Sequence, residues 1–250
     1  MVPSAAACCR TSTRKAVLAA VILFLSGCAY TVQPAHPVSL TALLNAMGTN
    51  NPPLTSMKAL ASVSLRFNDR GAEFPEGIII DGTNMRLETL NLFYQPMLII
   101  VAHGDVAVLD VRTGACSISS PALLERYTGL RADPAEFENL ITGRLIGKAD
   151  RMNRDNGKLS VSGKFKQTEW TADLDAGLRL RSMIVRQPGS DPLLCMYSGY
   201  DSFDGVHLPR HVTCSSGRRR LAIHYRTVRI NGPVAPSLTD IRELCGAGTP

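Results

Sequence analysis

From Lys58 onward the chain alternates apolar and polar residues with a period of two. Ala59, Ala61, Val63, Leu65 and Phe67 fall on one face, and Leu60, Ser62, Ser64 and Arg66 on the other. The pattern returns in Met85, Leu87 and Thr89, in Leu159, Val161 and Phe165, in Trp170, Ala172 and Leu174, and in Leu221, Ile223 and Tyr225. Strands apolar on one face and polar on the other belong to an antiparallel sheet with one solvated side. Turn signals separate the runs: Asp69-Arg70-Gly71, Asp81-Gly82, Gly104-Asp105, Asp155-Asn156-Gly157, Ala176-Gly177 and Asp204-Gly205. This spacing predicts about ten strands in one large curved sheet or barrel.

Helical periodicity interrupts the strands once. Ser120-Pro121 supplies a cap and a first-turn proline, Leu123, Leu124 and Tyr127 share one face, and Gly129 stops the run. Asp133-Pro134-Ala135-Glu136 has the form of a capping box, and Phe137, Leu140, Ile141 and Leu145 follow at helical spacing. Two short amphipathic helices need an apolar surface to cover, and the concave face of the sheet offers one. Ahead of the sheet, residues 28–57 carry Pro34, Pro37, Pro52 and Pro53 with little periodicity. They read as a flexible tether containing a short helix near Leu40 to Met47, capped by Ser39 or Thr41.

The first 27 residues have a different character. Arg10, Arg14 and Lys15, with no acidic residue, precede an apolar run from Ala16 to Leu25 and the box Leu25-Ser26-Gly27-Cys28. This is an export leader, with an apolar run too short to span a bilayer. A cysteine directly after Ser-Gly fits the bacterial lipoprotein pattern, in which Cys28 is acylated and becomes the new N-terminus. The whole chain carries +6, but the leader holds three of those charges, so the 223 residues after it carry +3. That mild basicity suits an anionic lipid surface and is no footprint of nucleic-acid binding.

Four further cysteines remain after Cys28: Cys116, Cys195, Cys214 and Cys245. In an exported chain they allow two disulfides in three connectivities. A hairpin centred on Asp204-Gly205 sets residues whose numbers sum to 409 opposite each other, which pairs Cys195 with Cys214. The alternation of the ladder makes that a hydrogen-bonded pair with the wider Cα spacing, and Pro209 is a place where a bulge would break the register. The competing reading is unpaired, buried thiols.

Three segments taken in order resemble a known family. They are Met85 to Val101, an apolar strand, a hydrophobic turn with a proline and a second apolar strand; Ser120 to Leu130; and Glu136 to Leu145. The basic strand entering a proline-rich tail, Arg226 to Leu238, adds to the likeness. Over about residues 58–240 the chain resembles LolB and the wider LolA/LolB-like lipoproteins of Gram-negative envelopes. The resemblance implies a mainly β domain over 58–250, a half-open antiparallel barrel with a helical lid at about 120–146. It implies that acyl chains of lipids or lipoproteins bind in a hydrophobic cavity, with a periplasmic carrier protein as a partner. With Ala29 rather than Asp after Cys28, it also implies sorting to the periplasm-facing leaflet of the outer membrane. The family's protruding hydrophobic loop falls here at Phe93, Tyr94, Pro96 and Met97, a bulkier turn than the glycine-flanked leucine of LolB.

Each site has a plainer reading beside it. The Phe93 to Met97 turn is either a wedge facing membrane or cargo, or a tight turn whose aromatics fold back on the core. Leu87, Leu98, Ile100, Phe165 and Trp170 are cavity candidates, with packed core as the alternative. Leu124, Tyr127, Phe137, Leu140 and Ile141 are the lid's inward face. Arg218, Arg219 and Arg220, with Arg226 and Arg229, read first as a solvated turn and strand face, and otherwise as a contact for anionic head groups. The five histidines (36, 103, 207, 211 and 224) lack zinc-ligand spacing, and no nucleophile elbow or phosphate loop occurs. The sequence thus implies no cofactor, no metal and no enzyme. The rival to acyl binding is an assembly scaffold of the same fold with a filled core and a protein partner.

Overall fold

The computed structural model describes residues 39–120 and 122–246. The leader, the lipobox with Cys28, and Pro121 lie outside the described residues. Helix α1 (Leu40–Asn50) opens the described chain, with the Ser39 hydroxyl accepting from the Ala42 N–H at 3.2 Å as its N-cap. A first meander follows: β1 (Ser56–Phe67), β2 (Arg70–Asp81), β3 (Asn84–Leu90), β4 (Pro96–His103), β5 (Asp105–Asp110) and β6 (Cys116–Ser119). Then come α2 (Ala122–Thr128) and α3 (Pro134–Thr142). A second meander comprises β7 (Ala149–Asp155), β8 (Lys158–Phe165), β9 (Thr168–Leu174), β10 (Leu180–Arg186), β11 (Leu193–Phe203), β12 (Val206–Ser216) and β13 (Arg219–Ile230). A 3-10 turn at Pro236–Thr239 and helix α4 (Ile241–Gly246) finish it.

Among the described residues one antiparallel sheet holds thirteen strands, in the order β6-β5-β4-β3-β2-β1-β13-β12-β11-β10-β9-β8-β7. The pairing of β1 with β13 joins the two meanders and leaves β6 and β7 as open edges. The sheet is therefore curved but not closed, a half-open barrel. Between β6 and β7 the chain must travel from one edge to the other, and α2 and α3 make that crossing. Arg226 is an extra residue in β13 between partners of Leu60 and Ala61, a bulge that bends the strand at the seam.

The strand number exceeds the ten expected, because edge strands lack the alternation that reveals inner ones. β7 reads Ala-Asp-Arg-Met-Asn-Arg-Asp and is mostly exposed, and β6 has four residues. Charged or short edges are how sheets avoid pairing with a neighbour. The folded body also begins earlier than residue 58. Leu43 of α1 is fully buried in the core, and the Arg144 guanidinium donates to the Pro52 carbonyl at 2.9 Å, so residues 40–57 pack on the barrel rather than serving as tether.

Candidate functional site

The inward positions of β13, β1 and β2 form rows along the strands. Tyr225, Ala61 and Glu76 make one row; Ile223, Val63 and Phe74 the next; Leu221, Leu65 and Ala72 the third; and Arg219, Phe67 and Arg70 the row at the sheet's end. β3 and β4 extend the first row with Thr89 and Leu98, because Glu76 pairs with Thr89 and Thr89 with Leu98. Between this surface and the helices lies an apolar cavity of about 230 Å³. Leu87, Leu98 and Ile100 line it from the sheet, and Tyr127, Phe137 and Ile141 from above. Leu124 and Leu140 are fully buried in the core beneath the helices.

Two of the expected cavity residues lie elsewhere. Trp170 is fully buried opposite Gly163, where a Cβ would come within 2.7 Å of the indole and 2.3 Å of the Lys148 carbonyl. Phe165 packs against Gly147. Both fill the second meander's concave side, so the free space belongs to the first meander and the β1–β13 seam. Alternation told which face they occupy; it carried no information on whether other side chains fill the space before it.

The lid is pinned mainly through α3. Asp133 caps the helix by accepting from the Glu136 N–H at 2.8 Å, and the Glu136 carboxylate accepts from the Asp133 N–H at 3.0 Å and from the Thr168 hydroxyl at 2.9 Å. Lys166 pairs with Asp133. At the cavity's inner end the Tyr225 hydroxyl donates to the Ile141 carbonyl at 3.0 Å. Helix α2 has one ion pair to the sheet, Arg219 Nη1 to Glu125 Oε1 at 2.7 Å.

Glu76 is the polar exception in the cavity wall. It is 5% exposed, and its Oε2 has no hydrogen-bond partner among the described residues. Burial pushes its carboxyl up to about 8; the Thr89 hydroxyl pulls it down and the neighbouring Glu88 pushes it further up. The carboxyl is therefore largely protonated at neutral pH. The signal in sequence was a glutamate at an inward position, flanked at period two by Phe74 and Ile78.

Beyond the third row the cavity abuts an open groove of about 680 Å³, and the two share Leu65, Tyr127 and Thr128. Arg66, Arg70, Arg126, Arg219 and Arg220 line this groove, against the single acid Glu125. Arg219 of the basic triplet thus meets Arg70 of the β1–β2 hairpin and Arg126 of α2.

The β3–β4 turn stands at the same end of the sheet. The Asn91 side chain accepts from the Phe93 N–H at 2.8 Å and the Gln95 N–H at 3.0 Å, fixing a tight turn. Phe93 is 82% exposed, Tyr94, Pro96 and Met97 are exposed, and their neighbour Leu92 is 89% exposed. The aromatics point outward rather than folding back on the core.

Among the described residues two disulfides cross-link the fold, Cys195–Cys214 within the β11–β12 hairpin and Cys116–Cys245 between β6 and α4. The hairpin keeps its register past Pro209. The Cα atoms of Cys195 and Cys214 are 4.0 Å apart, the narrow spacing rather than the wide one expected. Gly199, left-handed at φ 65°, interrupts the ladder between the turn and the cysteines. Among the described residues no group of three His, Cys, Asp or Glu side chains is placed to hold a metal, and no helix is long and apolar enough to cross a membrane.

The fold is LolA-like. The chain is similar to a LolA superfamily protein from Nitrosomonas europaea, at 10% identity and a TM-score of 0.55, over 82% of this chain and 99% of that one. A DUF1329 family protein from Desulfovibrio piger matches at 9% identity and a TM-score of 0.59, over 81% and 96%. A putative outer membrane lipoprotein-sorting protein domain from Vibrio parahaemolyticus matches at 10% identity and 0.57, over 81% and 97%. No family model and no curated protein matches the sequence. The likeness therefore reaches the LolA-like fold and not LolB in particular.

Proposed function

We propose that this protein is an envelope lipoprotein, anchored through acylated Cys28 to the periplasm-facing leaflet of the outer membrane, that binds acyl chains of lipids or lipoproteins beneath its lid. The apolar cavity closed by Tyr127, Phe137 and Ile141 carries this reading. Burial of each methylene contributes about 0.8 kcal/mol, so a chain needs no reactive group to hold it. The exposed Leu92-Phe93-Tyr94 turn, at the groove end of the sheet, serves as the contact with the membrane during transfer. Receipt of lipoprotein cargo from a periplasmic carrier, as the LolB resemblance implies, belongs to the same reading.

One observation favours the scaffold instead. The cavity of about 230 Å³ lies below the roughly 300–1,000 Å³ usual for small-molecule sites. Acyl binding then requires α2 to shift, joining cavity to groove. Native mass spectrometry of the full chain purified from envelopes decides between them. Acyl binding predicts co-purified lipid that persists in Cys28→Ala, which leaves the membrane yet stays folded; a lipid-free chain in both forms supports the scaffold.

A further inference from the structure

The groove at the cavity's outer end has a charge pattern that an acyl chain alone does not call for. Five arginines line it, and Glu125 is its one acid. Arg219 is taken by Glu125 and also lies 5.3 Å over the Phe67 ring. Arg66, Arg70, Arg126 and Arg220 are exposed and have no ion-pair partner among the described residues. Arg70, in the end row of inward positions, and Arg126 of α2 face the groove, whereas Arg66 and Arg220 alternate with the inward Leu65, Phe67, Arg219 and Leu221 and lie on the other side of their strands. Arg70 and Arg126, held on sheet and lid with no carboxylate partner, lack a structural role within the chain, and each presents planar donors suited to phosphate oxygens.

Distances along the sheet fit an amphiphile. Arg70 and Glu76 are six residues apart on β2, about 20 Å of extended strand, with Ala72 and Phe74 between them on the inward face. A chain lying on this track has its polar end among the arginines and its terminus near Glu76. Glu76 is largely protonated at neutral pH, so the inner end of the track holds no fixed charge to repel an apolar terminus. The Glu125–Arg219 pair spans the junction between lid and sheet, where an anion would compete with Glu125 for Arg219.

Resting on the acyl-binding reading, we infer that the groove is a head-group site, and that the cargo is an amphiphile with a net anionic phosphate head whose tail enters the cavity. The unpaired Arg70 and Arg126 select the head, and the rows above Glu76 accept the tail.

The test is competitive native mass spectrometry of the full chain released from non-ionic detergent micelles. The probes are equimolar palmitoyl lysophosphatidylglycerol, palmitoyl lysophosphatidylcholine and monopalmitoylglycerol, which share a tail and differ in head charge. The anionic probe is expected to be retained at least tenfold over the other two. Each unpaired arginine near the head is worth about fivefold, so Arg70→Gln with Arg126→Gln should bring the three probes within a fewfold of each other while monopalmitoylglycerol binding stays unchanged. Arg154→Gln with Lys158→Gln, exposed charges on and beside β7, should leave the selectivity intact. Equal retention of the three probes by the unaltered chain overturns the head-group site and leaves acyl binding standing. So does selectivity that survives the groove substitutions or falls equally in the distal ones. Retention of none of the probes overturns acyl binding and this inference together.

Discussion

Replacing Glu76 with glutamine keeps the side chain's shape and removes its ability to ionise. In the folded chain burial holds this carboxyl at about 8, against an ordinary value of 4.5. Below pH 4.5 it is protonated in both folded and unfolded chains and costs nothing. As the pH rises from 4.5 to 8 the unfolded chain releases a proton that the folded one retains, so stability falls by about 1.4 kcal/mol per pH unit. Above pH 8 the loss is complete, at a ceiling of about 5 kcal/mol. Glu138, pushed up to about 7 by burial against the pull of Arg144, adds a loss of the same sign, but it is common to both proteins and cancels in their difference. Glu76→Gln should therefore match the unaltered chain near pH 4 and exceed it by several kcal/mol at pH 9. Denaturant unfolding followed through Trp170, the single tryptophan and fully buried, measures both. An equal difference at the two pH values would refute the claim that the cavity wall holds a neutral acid.

Other consequences concern the turn, the lid and the packed half. Phe93→Ser, at a side chain 82% exposed, should change unfolding free energy by less than about 0.5 kcal/mol. The same substitution should weaken association with phospholipid vesicles about tenfold or more through the lost apolar contact, as a flotation assay reads. Asp133→Ala removes the α3 cap and the ion pair with Lys166; a cost of about 1 kcal/mol is expected in denaturant titration. Gly163→Ala forces a Cβ against the Lys148 carbonyl and the Trp170 ring, with an expected loss of about 1–3 kcal/mol and a shifted Trp170 emission.

Local chemistry was legible in the sequence, and long-range closure was not. Asp204-Gly205 sets a hairpin register from which the facing of Cys195 and Cys214 follows by counting. Asp133 and Glu136 declare the start of α3 through their own hydrogen bonds. By contrast, the pairing of β1 with β13 joins residues some 160 positions apart, such as Val63 and Ile223, and no short pattern encodes it. The arginine groove depends on that closure, since Arg70, Arg126 and Arg219 share a site only once the seam and the lid are in place. The Cys116–Cys245 bridge likewise needs the C-terminal helix laid beside β6. In the sequence Leu87, Ile100 and Trp170 are equal cavity candidates; only the packed structure separates the two that line a cavity from the one that fills its half.

The central claim is that an acyl chain lies between the lid and the first meander. Photo-crosslinking the full chain with a palmitate analogue carrying a diazirine near its methyl terminus, followed by peptide mapping, tests it most directly. The account predicts adducts at Leu87, Leu98, Ile100 and Phe137, with Trp170 and Phe165 untouched. Adducts confined to the exposed Leu92–Met97 turn, or none above background, would contradict it.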